Sequence, residues 1–144
     1  MRTGRLIIVL AAFAVLVAAC SSGDDAVTVE DPWGRPSPSS AENAAFYMQL
    51  DGAAEDDLLV SASSSACSVV ELHETQMSDG VMSMQHLPQG IPVPAGATVA
   101  LEPGGLHVMC MGVQSPFTVG DMIEVGLEFE NSGSMTVEAE IREG

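Results

Sequence analysis

From residue 26 onward the chain alternates apolar and polar residues with a period of two, in short runs separated by glycine, proline and acidic residues. That period places residues i and i+2 on one face, which is the pattern of a half-buried strand. It predicts strands over Ala26–Glu30, Ala44–Leu50, Leu58–Ser63, Val69–Thr75, Val81–His86, Thr98–Leu101, the run His107–Met111, Met122–Glu130 and Met135–Ile141. Asp31-Pro32 through Pro38 is expected to end the first strand, because proline cannot donate to a ladder. Ser78-Asp79-Gly80 is a hairpin signal, and Pro88–Gly96 reads as a crossing without a strand of its own. In the last long run Ile123, Val125, Leu127 and Phe129 should face inward, with Met122, Glu124, Gly126, Glu128 and Glu130 outward. About nine short strands at roughly 8–12-residue spacing, with no amphipathic helix, fit an all-β sandwich or barrel. The roughly 120 residues after the first two dozen suffice for one core and not for two.

One stretch of this pattern carries chemistry. All three histidines, His73, His86 and His107, lie between residues 73 and 111, together with Met77, Met82, Met84, Met109 and Met111. On one strand His107, Met109 and Met111 share a face, while Val108 and Cys110 share the other. On another, Met82 and Met84 point together. A single methionine on a strand is ordinarily core filler, and a single histidine ordinarily has a plain surface or core role. The set reads differently, since a core has no need for His and Met repeated at i, i+2. Imidazole nitrogen and thioether sulfur are soft donors, and thioether favours Cu(I) over hard cations. The predicted site is therefore a Cu(I) centre of His73, Met84, His107 and Met109. Met82, Met111 and Met77 are further candidates, and His86 is an exposed polar residue with an auxiliary ligand role as the alternative. No C-x-x-C or H-E-x-x-H spacing for zinc occurs.

These residues also carry a family resemblance. Glu71-Leu72-His73-Glu74-Thr75, Asp79-Gly80-Val81-Met82-Ser83-Met84, Ile91-Pro92-Val93-Pro94-Ala95-Gly96 and Pro103-Gly104-Gly105-Leu106-His107-Val108-Met109 together resemble the PCu(A)C family of extracytoplasmic copper chaperones. The pattern of that family is a histidine, ten residues, a methionine, about twenty-one residues, then H-x-M. Here the first gap matches, and the second is one residue longer, an extra residue placed in the Leu87-Pro88-Gln89-Gly90 turn. The likeness extends from Asp31-Pro32-Trp33 to the final strands. It implies a cupredoxin-like Greek-key β-sandwich that binds Cu(I) and passes it to a copper-accepting protein, such as a cytochrome oxidase subunit or another copper carrier.

The first residues change the setting. Arg2 and Arg5 precede an apolar run, Leu6–Ala19, that is short for a membrane span. It ends in Leu16-Val17-Ala18-Ala19-Cys20, which resembles a bacterial lipobox. The expected organisation is a signal peptide over 1–19, a lipidated Cys20 with a flexible tether over 20–25, and a copper-binding domain over 26–144. Lipid would anchor the domain outside the cytoplasm without a transmembrane helix. The formal charge is −16; without Arg2 and Arg5, two arginines face twenty acids, a net −18. Such a surface repels phosphate backbones, which excludes nucleic acid as a partner, and it concentrates cations. The chain is expected to be a monomer.

The exported setting permits a disulfide between Cys67 and Cys110. Alternation gives Cys67 the parity of His73 and turns Cys110 the other way, so pairing would need a bulge or turn near Ser68. The rival reading, Cys110 as a copper thiolate, conflicts with its position on the face opposite His107. No nucleophile elbow is present, and thioether ligation biases a site towards one oxidation state, so the chain is read as a carrier and not an enzyme. The alternative of a different class is a metal-free ligand-binding or adhesion β-sandwich lipoprotein.

Overall fold

The computed structural model describes residues 25–37 and 40–144. The expected signal peptide, Cys20 and the tether through Asp24 lie outside the described residues. The rest is all-β: β1 (Thr28–Gly34), β2 (Asn43–Asp51), β3 (Asp57–Ser63), β4 (Cys67–Ser78), β5 (Val81–His86), β6 (Ile91–Val93), β7 (Thr98–Leu101), β8 (Leu106–Val113), β9 (Met122–Phe129) and β10 (Gly133–Ile141). They pair in the order β5-β4-β8-β7-β2-β1-β10-β9-β3-β6, and β8 also pairs with β2. The sheet closes over one core, since β3 packs on β4 without pairing with it. Phe46, Met48 and Leu50 of β2, Leu72 of β4 and Val108 and Cys110 of β8 meet Leu59, Ile91, Val93, Val125, Leu127, Phe129 and Ile141 from the other strands.

Two expectations about elements are corrected. The first strand does not stop at Asp31. It runs on through Pro32 and Trp33 to Gly34, with a bulge where the register moves from Glu30 opposite Gln49 to Trp33 opposite Tyr47. Asp31 takes a left-handed φ of 48° there, and its carboxylate accepts two hydrogen bonds from Arg142, at 2.9 and 2.6 Å. A bulge is where a strand tolerates proline. The Pro88–Gly96 crossing contains β6, which brings the strand number to ten. Ile91 and Val93 are buried, and Pro92 between them is exposed on the sheet's edge.

The hairpin signal at Asp79-Gly80 is realised directly. Both residues have positive φ, 51° and 77°, as a two-residue turn of matching twist requires. The β4–β5 ladder that follows is regular, from Ser78 opposite Val81 to His73 opposite His86. The β9–β10 turn is held differently. The buried Asp57 carboxylate accepts from the backbone N–H groups of Leu58, Asn131 and Ser132 and from the Ser132 hydroxyl, at 2.6–2.9 Å. Burial alone would raise its pKa; these hydrogen bonds outweigh burial and hold it below the ordinary carboxylate value.

Candidate metal centre

The registers of β4 with its two neighbours build the site. His73 lies opposite His107 on β8 and opposite His86 on β5. Directly opposed residues share a face, so the three imidazoles form a row. Ring centroids are 5.6 Å apart from His86 to His73 and 5.8 Å from His73 to His107. Tyr47 of β2 continues the row at 6.4 Å from His107 and stacks in turn on Trp33 at 4.7 Å. His107 is thereby only 2 % exposed, and the His73 side chain is 12 % exposed, whereas His86 is exposed.

Each of the two covered imidazoles has one nitrogen held and one left without a partner. His73 Nε2 lies 2.8 Å from Glu71 Oε2, and His107 Nδ1 lies 3.1 Å from the Gly105 carbonyl oxygen. An ionised carboxylate and a carbonyl can only accept, so these two nitrogens carry the N–H and donate it. That leaves the lone pairs on His73 Nδ1 and His107 Nε2, and both atoms are buried with no hydrogen-bond partner. A buried polar atom left unsatisfied costs about 1–3 kcal/mol, so two lone pairs on adjacent opposed residues are available to an incoming group. Metal-bound histidines usually donate their second nitrogen to a carboxylate or backbone carbonyl in this way. Burial lowers the His107 pKa, the Gly105 hydrogen bond opposes this more weakly, and the nearby His73 lowers it further. Burial thus favours the neutral ring, the form that a metal ligand takes. The hydrogen bond from His73 keeps the Glu71 carboxyl below its ordinary pKa.

The methionines divide into two groups. Met109 lies opposite Glu71 and Met84 opposite Thr75, so this pair flanks His73 on its own face. The side chains of both line one shallow cavity of ≈ 220 Å³, shared with Arg35, Asn43, Ala45 and Tyr47. Met77 and Met82 lie opposite each other further out on the β4–β5 arm, and Met111 lies opposite Val69 and Asn43. Each of Met77 and Met111 is four residues along its strand from a histidine of the row, about 13 Å at strand rise. Among the described residues no group of three or more His, Cys, Asp and Glu is placed to hold a metal. The donors this face offers are imidazoles, two of them covered and one exposed, and thioethers, a set suited to a soft monovalent ion.

Cys67 and Cys110 are joined by a disulfide, with Cα atoms 5.5 Å apart. The β4–β8 register runs without a shift from Cys67 opposite Val113 to Glu74 opposite Leu106, and Gly112, beside the bridge, has a left-handed φ of 64°. A side chain there would strike Ser68 Oγ at 2.5 Å. Cys110 is wholly buried on the core side of β8, away from the imidazole row. Sequence reasoning did not single out Glu71, the Gly105 carbonyl or Tyr47. Glu71 precedes His73 by two residues on β4 and so shares its face, a signal that was available; the Gly105 carbonyl belongs to the turn before β8 and had no such signal. Tyr47 could be placed only from the β2–β8 register.

The fold is that of PCuAC domains. The copper-bound PCuAC domain from PmoF2 superposes with a TM-score of 0.68 at 25 % identity, over 82 % of this chain and 93 % of that domain. CuI-DR1885 from Deinococcus radiodurans gives 0.65 at 28 % identity, over 87 % and 85 %. Residues 27–141 match the family described as Putative lipoprotein LpqE-like, and the chain belongs to that family. It is also 34 % identical to Putative lipoprotein Lxx21020 of Leifsonia xyli subsp. xyli, over 83 % of this chain and 71 % of that protein.

Proposed function

We propose that this protein is an extracytoplasmic Cu(I) carrier, with His73 Nδ1, His107 Nε2 and the thioethers of Met84 and Met109 as ligands. The observation that carries the reading is the pair of buried, partnerless imidazole nitrogens on opposed residues, each with its other nitrogen fixed. Copper is cargo here. The imidazoles sit on the ladder of two paired strands and are held in orientation before the ion arrives. Met84 stands on the edge strand and is 57 % exposed, so its sulfur is the donor an incoming or accepting ligand reaches first. Stepwise exchange through Met84 would let tight binding coexist with release.

The destination is a copper-accepting protein, a cytochrome oxidase subunit or another carrier. The net negative surface favours a basic partner. Anchoring through a lipidated Cys20 is supported by the lipobox and by the description of the family as lipoproteins. Metabolic labelling with a fatty acid should mark the chain and fail to mark Cys20→Ala; equal labelling of both would refute the anchor.

The test of the carrier reading is competition for Cu(I) with a chromophoric chelator under reducing conditions. His107→Ala should weaken binding by at least about 100-fold, which is about 2.7 kcal/mol, while Met135→Ala leaves it unchanged. If both variants hold Cu(I) like the parent, the ligand assignment is wrong. If the parent itself neither binds nor is stabilised by Cu(I), the metal-free lipoprotein reading takes its place.

A further inference from the structure

The β4–β5 arm carries methionines that the His73–His107 centre does not use. Met77 and Met82 form a directly opposed cross-strand pair, and Met84 follows Met82 on the same face, diagonal to Met77. Opposed Cβ atoms in such a ladder are about 5 Å apart and diagonal ones about 7–8 Å, within reach of long side chains. All three side chains are open to solvent: Met77 is 68 % exposed, Met82 62 % and Met84 57 %. At these exposures core packing accounts for little of their placement, and Met77 and Met82 lie beyond the covered part of the face. Every residue of β5 is exposed. Nor is the placement one of chance orientation. The β-turn at Asp79-Gly80 and the regular ladder fix Met77, Met82 and Met84 on the face that also presents His73, His86 and His107.

From this arrangement we infer a second, outer site for a soft monovalent cation, formed by the thioethers of Met77 and Met82 with Met84 shared between it and the inner centre. The inference rests on the carrier reading above. Three neutral sulfurs in water select Cu(I) or Ag(I) and have little attraction for hard cations. With no imidazole and no burial, the site binds weakly and exchanges fast. An ion captured on the arm moves inward without any redox step. Met84 keeps its bond, the Met77 and Met82 sulfurs leave, and His73 Nδ1, His107 Nε2 and Met109 replace them. The same exchange in reverse delivers the ion to an acceptor docked on the arm. The rival use of exposed methionines is as an adaptable apolar docking surface. It requires hydrophobicity and not sulfur.

The experiment uses the full chain in detergent with 13C-methyl methionine, titrated with Ag(I) and followed by NMR, beside a Met77→Leu/Met82→Leu double variant that keeps the apolar surface and removes the sulfurs. Expected are two phases: Met84 and Met109 methyl signals move with the first equivalent, and Met77 and Met82, with a further shift of Met84, in a second phase about 100-fold weaker. The double variant should lose the second phase, keep the affinity of the first, and load Cu(I) from a chelate roughly tenfold more slowly, the equivalent of about 1.4 kcal/mol on the barrier. Met77 and Met82 signals that stay still while Met84 and Met109 move would overturn the outer site alone. So would a double variant that loads as fast as the parent. Four unmoved methyls would overturn the carrier reading as well.

Discussion

The β4–β5 and β9–β10 hairpins are built alike and used in opposite ways. Both are antiparallel ladders with unbroken register. Along β9–β10 the apolar positions Val125, Leu127, Phe129, Ala139 and Ile141 are buried, and the other face is acidic, with Glu124, Glu128, Glu138 and Glu140 exposed. Along the outer half of β4–β5 the apolar residues Met77, Val81, Met82 and Met84 are themselves the exposed ones. The first hairpin turns apolar surface into stability. The second holds it away from the core, beside two histidines whose free nitrogens also lack partners. Residues that contribute little to folding are available for a ligand.

If that division is right, damage to one hairpin should register in unfolding and damage to the other in copper binding. The largest effect belongs to Phe129→Ala. Phe129 is buried in the core cluster, and its truncation should cost about 3–5 kcal/mol in denaturant unfolding. The fraction still folded should bind Cu(I) with the parent's affinity. A smaller effect is expected from Asp57→Asn, at about 1–3 kcal/mol near neutral pH, because the carboxylate serves four donors around the β9–β10 turn. Its pH dependence has a definite sign. The folded pKa lies below the ordinary 3.8, so the unfolded chain takes up this proton first as acid is added. The stabilisation is complete above that value and fades as pH falls through the lower folded pKa. The stability gap between parent and variant should therefore narrow below about pH 3.8; a constant gap would refute the assignment.

How much of this was open to reading depended on the range of the interaction. The β5 bounds, the Asp79-Gly80 turn and the inward set of β9 follow from neighbours two or three residues apart. So does the shared face of His107 and Met109. Local pattern could not supply the pairing of His73 with His107 across 34 positions of chain, nor the continuation of β1 through Pro32. That continuation is set by a bulge against β2 and by Arg142 from the last residues. β6 was hidden because Ile91-Pro92-Val93 is three residues long and centred on a proline that only an edge position tolerates. The disulfide contradicted simple alternation. Cys67 and Cys110 are bridged with Cα atoms 5.5 Å apart, although period-two parity sets them on opposite faces.

On the other side of the comparison, Glu71→Gln should lower Cu(I) affinity by about tenfold. Gln keeps the size of the side chain and an acceptor for the His73 N–H, but it removes the charge that makes the opposite nitrogen a better donor. Thermal unfolding of the copper-free protein should hardly move, since this side chain is partly open to water and exposed pairs contribute little. An unchanged affinity would mean that Glu71 merely occupies space beside His73.

The smallest expected effect is the sharpest test of the division. Met82 is an apolar residue in the middle of a regular strand, and by sequence pattern alone it could be taken for a core position. At 62 % exposure, with β5 at the edge of the sheet, its thioether buries little. Met82→Ser should therefore change unfolding free energy by no more than about 0.5 kcal/mol, the usual range for a surface site. The same substitution at Met48, 2 % exposed in β2, should cost several-fold more. A Met82→Ser loss of about 2 kcal/mol would show that the arm is packed against something in solution. In that case the exposed methionines would be structural, and the contrast between the two hairpins would fail.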